Sequence, residues 1–275
     1  MYLVSVVICS HNPRESFLRR TLEGLRCQSL PKEQWELLLI DNASNESLQD
    51  EWDLSWHPHS RRILEQELGL TPARLRGIRE AKGDLIIFVD DDNVLEVDYL
   101  EKAWEIGAQY EWLGVWGGSA LGDFESEPPS WMEEYMSLIA VRTVDRVQWG
   151  NLYNWECTPA GAGMVVRKQV AVAYYEKCET DDLMRNLGRK GKSLISCEDM
   201  DLAYMAVDEG FGMGRFPELV LRHIIPSNRM SEEYIARLIE ANSTSIYILN
   251  SIRGLKNRSL PQRGPIWRIV SAVKR

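Results

Sequence analysis

Three consecutive acids, Asp90-Asp91-Asp92, follow the apolar run Leu85-Ile86-Ile87-Phe88-Val89 and precede Asn93. Neighbouring carboxylates repel one another. At the end of a buried strand they become tolerable when a hard cation or a polyphosphate–metal complex sits between them. The same residues also suit a strand that ends in a solvated acidic turn. A second acidic group, Glu198-Asp199 with Asp201, fits by residue type the positive end of a helix. In LVLRHIIP, alternation puts His223 on the face shared by Leu219, Leu221 and Ile225, which reads as a core histidine.

The elements around these residues must place them. Val4 to Cys9 is short, β-branched and continuously apolar, as a strand buried on both faces requires, and Phe17, Leu18, Leu22 and Leu25 then recur at helical spacing. Trp35 to Ile40 repeats the strand signal and ends at Asp41-Asn42. A helix over 72–81 with Pro72 near its first turn is stopped by Lys82-Gly83 before the strand 85–89. Strands alternating with helices predict an α/β fold with a mainly parallel, doubly wound sheet, whose ligands bind beyond the carboxyl ends of the strands. Asn12, Asp41 and Asp90 to Asp92 fall at such ends. Beyond Val97 the tryptophans of a Gly- and Pro-interrupted stretch predict long loops that shape a cleft. A helix over 200–207, a strand over 219–225 and a long helix over 231–252 capped by Ser231 follow.

The chain has 275 residues and a formal charge of −9, which argues against general nucleic-acid binding. The charge is uneven, since residues 251–275 carry seven basic residues and no acid, with Trp267 and several aliphatic residues among them. Such a tail suits either an anionic membrane surface or the protein's own acidic body. Five scattered cysteines with no CxxC pair fit a reduced, cytoplasmic setting. The N-terminal MYLVSVVICSHN lacks a basic n-region and reads as a first strand. No apolar run reaches the roughly 18 to 20 residues that a membrane span needs.

Taken in order, VSVVICSHN, ELLLIDNAS, GLTPARLRGIREAKGDLIIFVDDDN, GAGMVVR and CEDMDLA resemble the inverting family 2 glycosyltransferases of the GT-A fold. The resemblance covers roughly residues 3–226. It implies transfer of a hexosyl-type sugar from a nucleotide diphosphate donor, a UDP-sugar being favoured, to a hydroxyl of a glycan or lipid-linked acceptor in surface polysaccharide or glycoconjugate assembly. In that chemistry Mn²⁺ or Mg²⁺ neutralises the departing diphosphate. The resemblance assigns Asp92 to the metal and Asp90 to the ribose or the metal's water shell, with Asp91 beside them. Cys9, His11, Asn12 and Asp41 fall on the nucleotide side, Arg74 on the diphosphate, and Gly161 and Gly163 in the small-residue turn facing the donor sugar. Asp199 matches the catalytic base, Glu198 orients the site or the acceptor, and His223 matches a late metal-binding histidine. Asn42 stands where a second acid is common and His11 where an aromatic Tyr is frequent.

The implied organisation is a catalytic unit over 1–226, with a nucleotide-sugar half (1–95) and an acceptor half (96–226), followed by a helix and basic tail (227–275). The expected location is cytoplasmic and peripheral at the inner face of the plasma membrane. A dinucleotide-binding oxidoreductase is disfavoured, because no GxGxxG joins the first strand to the first helix, and Gly210 to Gly214 follows a predicted helix instead. A sugar nucleotidyltransferase would need a glycine- and basic-rich loop after strand one, which CSHNPRES does not supply. The non-enzyme alternative is a nucleotide-sugar-binding or scaffold protein without catalysis.

Overall fold

The computed structural model describes residues 2–46, 48 and 52–256. The seven-residue strand β1 (Val4–Ser10) and β2 (Trp35–Asn42), β3 (Ser60–Glu65) and β4 (Leu85–Asp90) run parallel. With β5 (Asn93–Leu95), β6 (Leu113–Phe124), β7 (Gln148–Gly150), β8 (Val165–Arg167) and β9 (Gly212–Ile225) they make one nine-stranded sheet of order β3-β2-β1-β4-β8-β6-β9-β5, with β7 on β9. β6 and β9 are parallel to each other, while β5, β7 and β8 are antiparallel to their neighbours.

Side chains alternate across this sheet, and each face has its own apolar layer. Val6, Ile8, Leu37, Leu39, Leu85, Ile87 and Val89 pack on one side with helices α1 (Glu15–Arg26) and α3 (Tyr99–Gln109). Val7, Leu38, Ile40, Ile86 and Phe88 pack on the other with α2 (Leu70–Glu80), α4 (Lys168–Cys178) and α6 (Glu198–Asp208). Layers on both faces explain why β1, β2 and β4 are almost continuously apolar. A short helix α5 (Asp182–Arg185) precedes α6, and the long α7 (Glu232–Ile252) packs against the 3₁₀ turns of Ser130–Ile139. Ser231 caps α7 as expected, its hydroxyl accepting from the Tyr234 N–H at 3.2 Å.

β1 is the switch point of the sheet. The chain winds outward from it through β2 and β3, then returns to its other side with β4, so the carboxyl ends of β1, β2 and β4 open a crevice. In register, Cys9 pairs with Asp90 and Ser10 with Asp41. Asp41 and Asp90, at the carboxyl ends of β2 and β4, thus flank the end of β1.

Two readings change. The tryptophan-rich stretch contains the twelve-residue strand β6, whose sequence LGVWGGSALGDF conceals it because glycines lower strand propensity. β9 begins at Gly212, earlier than expected, so the glycines of 210–214 lead into a strand. The register between β6 and β9 shifts between Gly117 and Ser119, and a Cβ on the intervening Gly118 would collide with the Leu219 backbone. All five cysteines are free thiols, and among the described residues no helix is long and apolar enough to cross a membrane. The expected membrane-facing tail lies, from residue 257 onward, outside the described residues.

Candidate active site

The side that the resemblance assigns to the nucleotide is built by backbone capture. Asp41 is buried, and its two carboxylate oxygens accept the N–H groups of Ser44 and Leu48, both at 3.1 Å. Asn42 accepts from the Gly69 N–H at 2.8 Å and donates to the Glu67 carbonyl at 2.7 Å. A carboxylate could not make that donation, which accounts for an amide where a second acid is common. Asn12 has a positive φ of 49° and receives the Asn45 N–H on its side-chain oxygen, while its own N–H donates to Ser44. His11 is exposed, donates through Nδ1 to the Asn42 carbonyl and accepts from Asn12 on Nε2. These partners fix its ring at the mouth of the crevice. Cys9 lies beneath, where burial pushes its thiol up to about 12 despite Arg74 nearby, so it stays a neutral thiol.

At the end of β4 the three acids part company. Asp90 is one-third exposed and lies 3.6 Å from Arg74. Asp91 accepts the Ser10 hydroxyl at 2.5 Å, and burial together with the Asp92 charge raises its carboxyl to about 7. Asp92 faces the other way. Burial opposes its ionisation, yet His223 at 3.5 Å and Arg229 at 3.3 Å hold its carboxyl down at about 2. Asn93 braces the turn, accepting the Asp90 N–H and donating to Asp92, both at 3.1 Å. His223 pairs with Asn93 across β5 and β9. It is buried with the apolar face of its strand, and among the described residues its Nδ1 has no hydrogen-bond partner. This histidine thus sits in the core face of β9 and also points its other ring nitrogen at the candidate metal acid.

The fit to a divalent cation is that of a sparse site. Among the described residues no group of three His, Cys, Asp or Glu side chains surrounds a common point. An ionised Asp92 and His223, whose Nε2 lies 3.5 Å from it, form a two-ligand set. Such a set suits Mg²⁺ or Mn²⁺, which draw most of their ligands from water and phosphate. Asp90 is drawn aside by Arg74.

Arg74 is buried on α2, its guanidinium 5.3 Å from the Phe88 ring centroid and 3.1 Å from Glu198. The resemblance directs it toward a diphosphate; in the fold it spans the distance between Asp90 and Glu198. Burial raises the Glu198 carboxyl to about 7 against the pull of Arg74, and among the described residues its Oε2 has no hydrogen-bond partner. Asp199, at the start of α6, accepts the Gly161 N–H at 3.0 Å and the Met200 N–H at 2.8 Å. A Cβ on Gly161 would come within 2.7 Å of the Arg74 guanidinium and displace it, so glycine here lets backbone, Arg74 and Asp199 converge. Gly163 has φ +71°, and its carbonyl accepts from the Tyr99 hydroxyl at 2.7 Å. Asp201 plays a different part: fully buried, it pairs with Arg253 at 2.6 Å and ties the end of α7 to α6. Cys197, before α6, carries a positive φ of 83°.

Ser10, Asn93 and Arg229 belong to this constellation although the sequence reading does not single them out as site residues. Asn93 has a signal in its place beside the acids. Arg229 reaches Asp92 only because the turn after β9 folds back, which no local pattern announces.

Residues 5–170 match the sequence model of glycosyl transferase family 2. The glycosyltransferase AglE of Haloferax volcanii is 25% identical over 146 residues, 49% of this chain and 48% of AglE. A Bacillus subtilis (strain 168) protein provisionally named as the teichuronic acid biosynthesis glycosyltransferase TuaG is 31% identical over 107 residues, 38% of this chain and 41% of TuaG. This chain thus spans about half the length of the curated relatives it matches. The crystal structure of S. aureus TarS 1–349 superposes with a TM-score of 0.54 at 18% identity, covering 98% of this chain and 69% of that one. Its complex with UDP-GlcNAc gives 0.55 at 15% identity, covering 99% and 71%. At these identities the likeness to the solved structures speaks for the GT-A fold.

Proposed function

The chain belongs to glycosyl transferase family 2, and on that premise we propose that it moves a sugar from a nucleotide diphosphate donor to an acceptor hydroxyl with inversion at the anomeric carbon. The observation that carries this reading is the placing of Asp199. Two backbone N–H groups aim its carboxylate, beside the Arg74–Glu198 pair that reaches back to Asp90. In the reaction the acceptor oxygen attacks the anomeric carbon, the bond to the diphosphate breaks on the opposite face, and the hydroxyl proton passes to Asp199. Arg74 and Glu198 keep Asp90 and Asp199 in fixed relation across the crevice. Asp92 and His223 would hold the divalent ion, which when bound supplies positive charge opposite the departing diphosphate. The saturated loop of Asn12, Asp41 and Asn42 presents His11 and the strand ends to the nucleoside.

TarS has been crystallised with UDP and with UDP-GlcNAc, which supports a UDP-sugar as donor here. The name of TuaG supports a part in surface polysaccharide assembly on a glycan or lipid-linked acceptor. Residues 1–95 would then serve the donor and 96–226 the acceptor. A cytoplasmic protein whose basic tail meets the anionic inner face of the plasma membrane completes the reading; truncation after Ile252 should abolish co-sedimentation with anionic liposomes.

The test is thermal-shift screening of UDP-, GDP- and dTDP-sugars with and without Mn²⁺, followed by NMR of the product formed from the best ligand. Stabilisation by a UDP-sugar and an inverted anomeric configuration are expected. Stabilisation without any turnover would favour the non-catalytic nucleotide-sugar-binding alternative, and no stabilisation by any of the donors would overturn both.

A further inference from the structure

On the acceptor side of Asp199, two arginines share one tryptophan. The Arg142 guanidinium lies 4.6 Å and that of Arg215 5.3 Å from the Trp155 ring centroid. Arg215 is buried and spoken for, its N–H groups donating to the carbonyls of Thr158 and Trp155. Arg142 is not. Among the described residues its guanidinium makes neither an ion pair nor a hydrogen bond, although the protein carries more acids than bases. Its backbone, by contrast, is clamped to β6 by two hydrogen bonds with Ala120, at 2.8 and 2.9 Å, and the Val144 N–H bonds the Ser119 hydroxyl two residues on.

The position is as telling as the charge. Trp155 and Thr158 lie on the segment that leads into Gly161, whose N–H holds Asp199, and the Asp199 carboxylate acts electrostatically on Arg142. Burial lowers the readiness of both arginines to hold their protons, Arg215 being brought to about 10 by burial and by Arg142. Glu156, the acid next to Trp155 in sequence, is exposed and among the described residues forms no ion pair with either. A stacked guanidinium keeps its N–H edge free for two parallel hydrogen bonds to a carboxylate or a phosphate. Fixing the backbone beforehand lowers the ordering cost of such a contact.

We propose that Arg142, held by Trp155 and Arg215, is an anion-binding subsite for the acceptor, which therefore carries a carboxylate or a phosphate near the hydroxyl that attacks. The inference rests on the reading of Asp199 as the base, since that is what makes this the acceptor side. It specifies an acidic acceptor, such as a uronate-containing glycan or a polyol phosphate, over a neutral glycan.

The full chain, saturated with UDP and Mn²⁺ so that the donor phosphate site is filled, is titrated calorimetrically with methyl β-glucuronide, glycerol 3-phosphate and neutral methyl β-glucoside. At least one anionic probe should bind about tenfold more tightly than the glucoside, as a charge-assisted pair predicts. Preference for the glucuronide points to a uronate and preference for glycerol 3-phosphate to a phosphate. Arg142→Gln should remove that preference, and Arg142→Lys should restore part of it, with UDP binding unchanged in both as the sign that the fold is intact. Equal binding of all three probes, no anion binding at millimolar concentration, or an anion preference that survives Arg142→Gln would overturn the subsite. Failure of UDP itself to bind would count against the donor reading, while an anion preference lost in Arg142→Gln would still uphold the subsite.

Discussion

The two rims of the crevice treat their polar side chains in opposite ways. On the β1–β2 rim, Asp41 and Asn42 spend both ends of their side chains on backbone groups, and Asn12 and His11 are bonded to the same loops. On the rim formed by β4, β9 and α6, among the described residues Glu198 Oε2 has no hydrogen-bond partner, Asp92 meets Arg229 and His223 only at 3.3 and 3.5 Å, and Arg142 makes no ion pair. Fully satisfied networks rigidify, whereas partly satisfied charge is costly unless something arrives to meet it. The first rim is a finished wall, which on the proposed reading faces the nucleoside. The second leaves its charge underpaired, which on the same reading serves phosphate, hydroxyl and metal.

This contrast can be broken from either side. The largest effect is expected at Asp92, because Asp92→Asn removes the ionised member of the two-ligand set. Turnover should fall about a hundredfold or more, and Mn²⁺-dependent UDP binding should weaken in parallel. Mn²⁺ titration by electron paramagnetic resonance checks it, and an unchanged metal affinity would take Asp92 out of the site. On the finished rim the effect should be on stability. Asn42→Asp replaces the donor to the Glu67 carbonyl with a repelling oxygen, at a cost of about 1–3 kcal/mol in urea unfolding. A variant as stable as the parent would show that the loop before α2 is held by other means.

A smaller, pH-dependent effect belongs to the scaffold. His57 is buried against Trp35, with ring centroids 4.0 Å apart, and burial lowers its pKa to about 4, helped by His59 and Lys32. The folded protein therefore takes up the proton later than the unfolded chain. Stability is complete above the unfolded histidine's pKa and is lost as pH falls from about 6.5 toward about 4. His57→Gln should lose less on acidification, by roughly 1–3 kcal/mol, in thermal melts across that range. Parallel pH profiles of the two proteins would remove His57 from the account.

The sequence was legible where one period governed a segment. The strands β1, β2 and β4, buried on both faces, and the helices α1, α2, α6 and α7 carry patterns that neighbours do not override. β6 was not legible, since its glycines answer to close tertiary packing, Gly118 against Leu219 of β9 and Gly114 against Phe211, Ala206 and Val170, rather than to strand propensity. At the site, the acids after β4 and the pair Glu198-Asp199 stood out by type, but their division of labour did not. Arg74 turned inward to Glu198 because α2 and α6 lie on the same face of the sheet, and Arg229 entered because the chain folds back after β9. Both are tertiary facts, decided by which elements share a face.

The central claim, that the underpaired rim does the chemistry, rests most directly on Asp199. The Gly161 and Met200 N–H groups donate to different oxygens of Asp199. Asp199→Asn keeps an acceptor for one of them and sets its NH2 against the other, a local loss that should leave UDP binding in place while transfer loses the base. Parallel calorimetry and transfer assays are expected to give an unchanged UDP affinity and a rate lower by about 10²–10⁴. A rate within about tenfold of the parent would fall below what general-base catalysis supplies and would contradict the assignment.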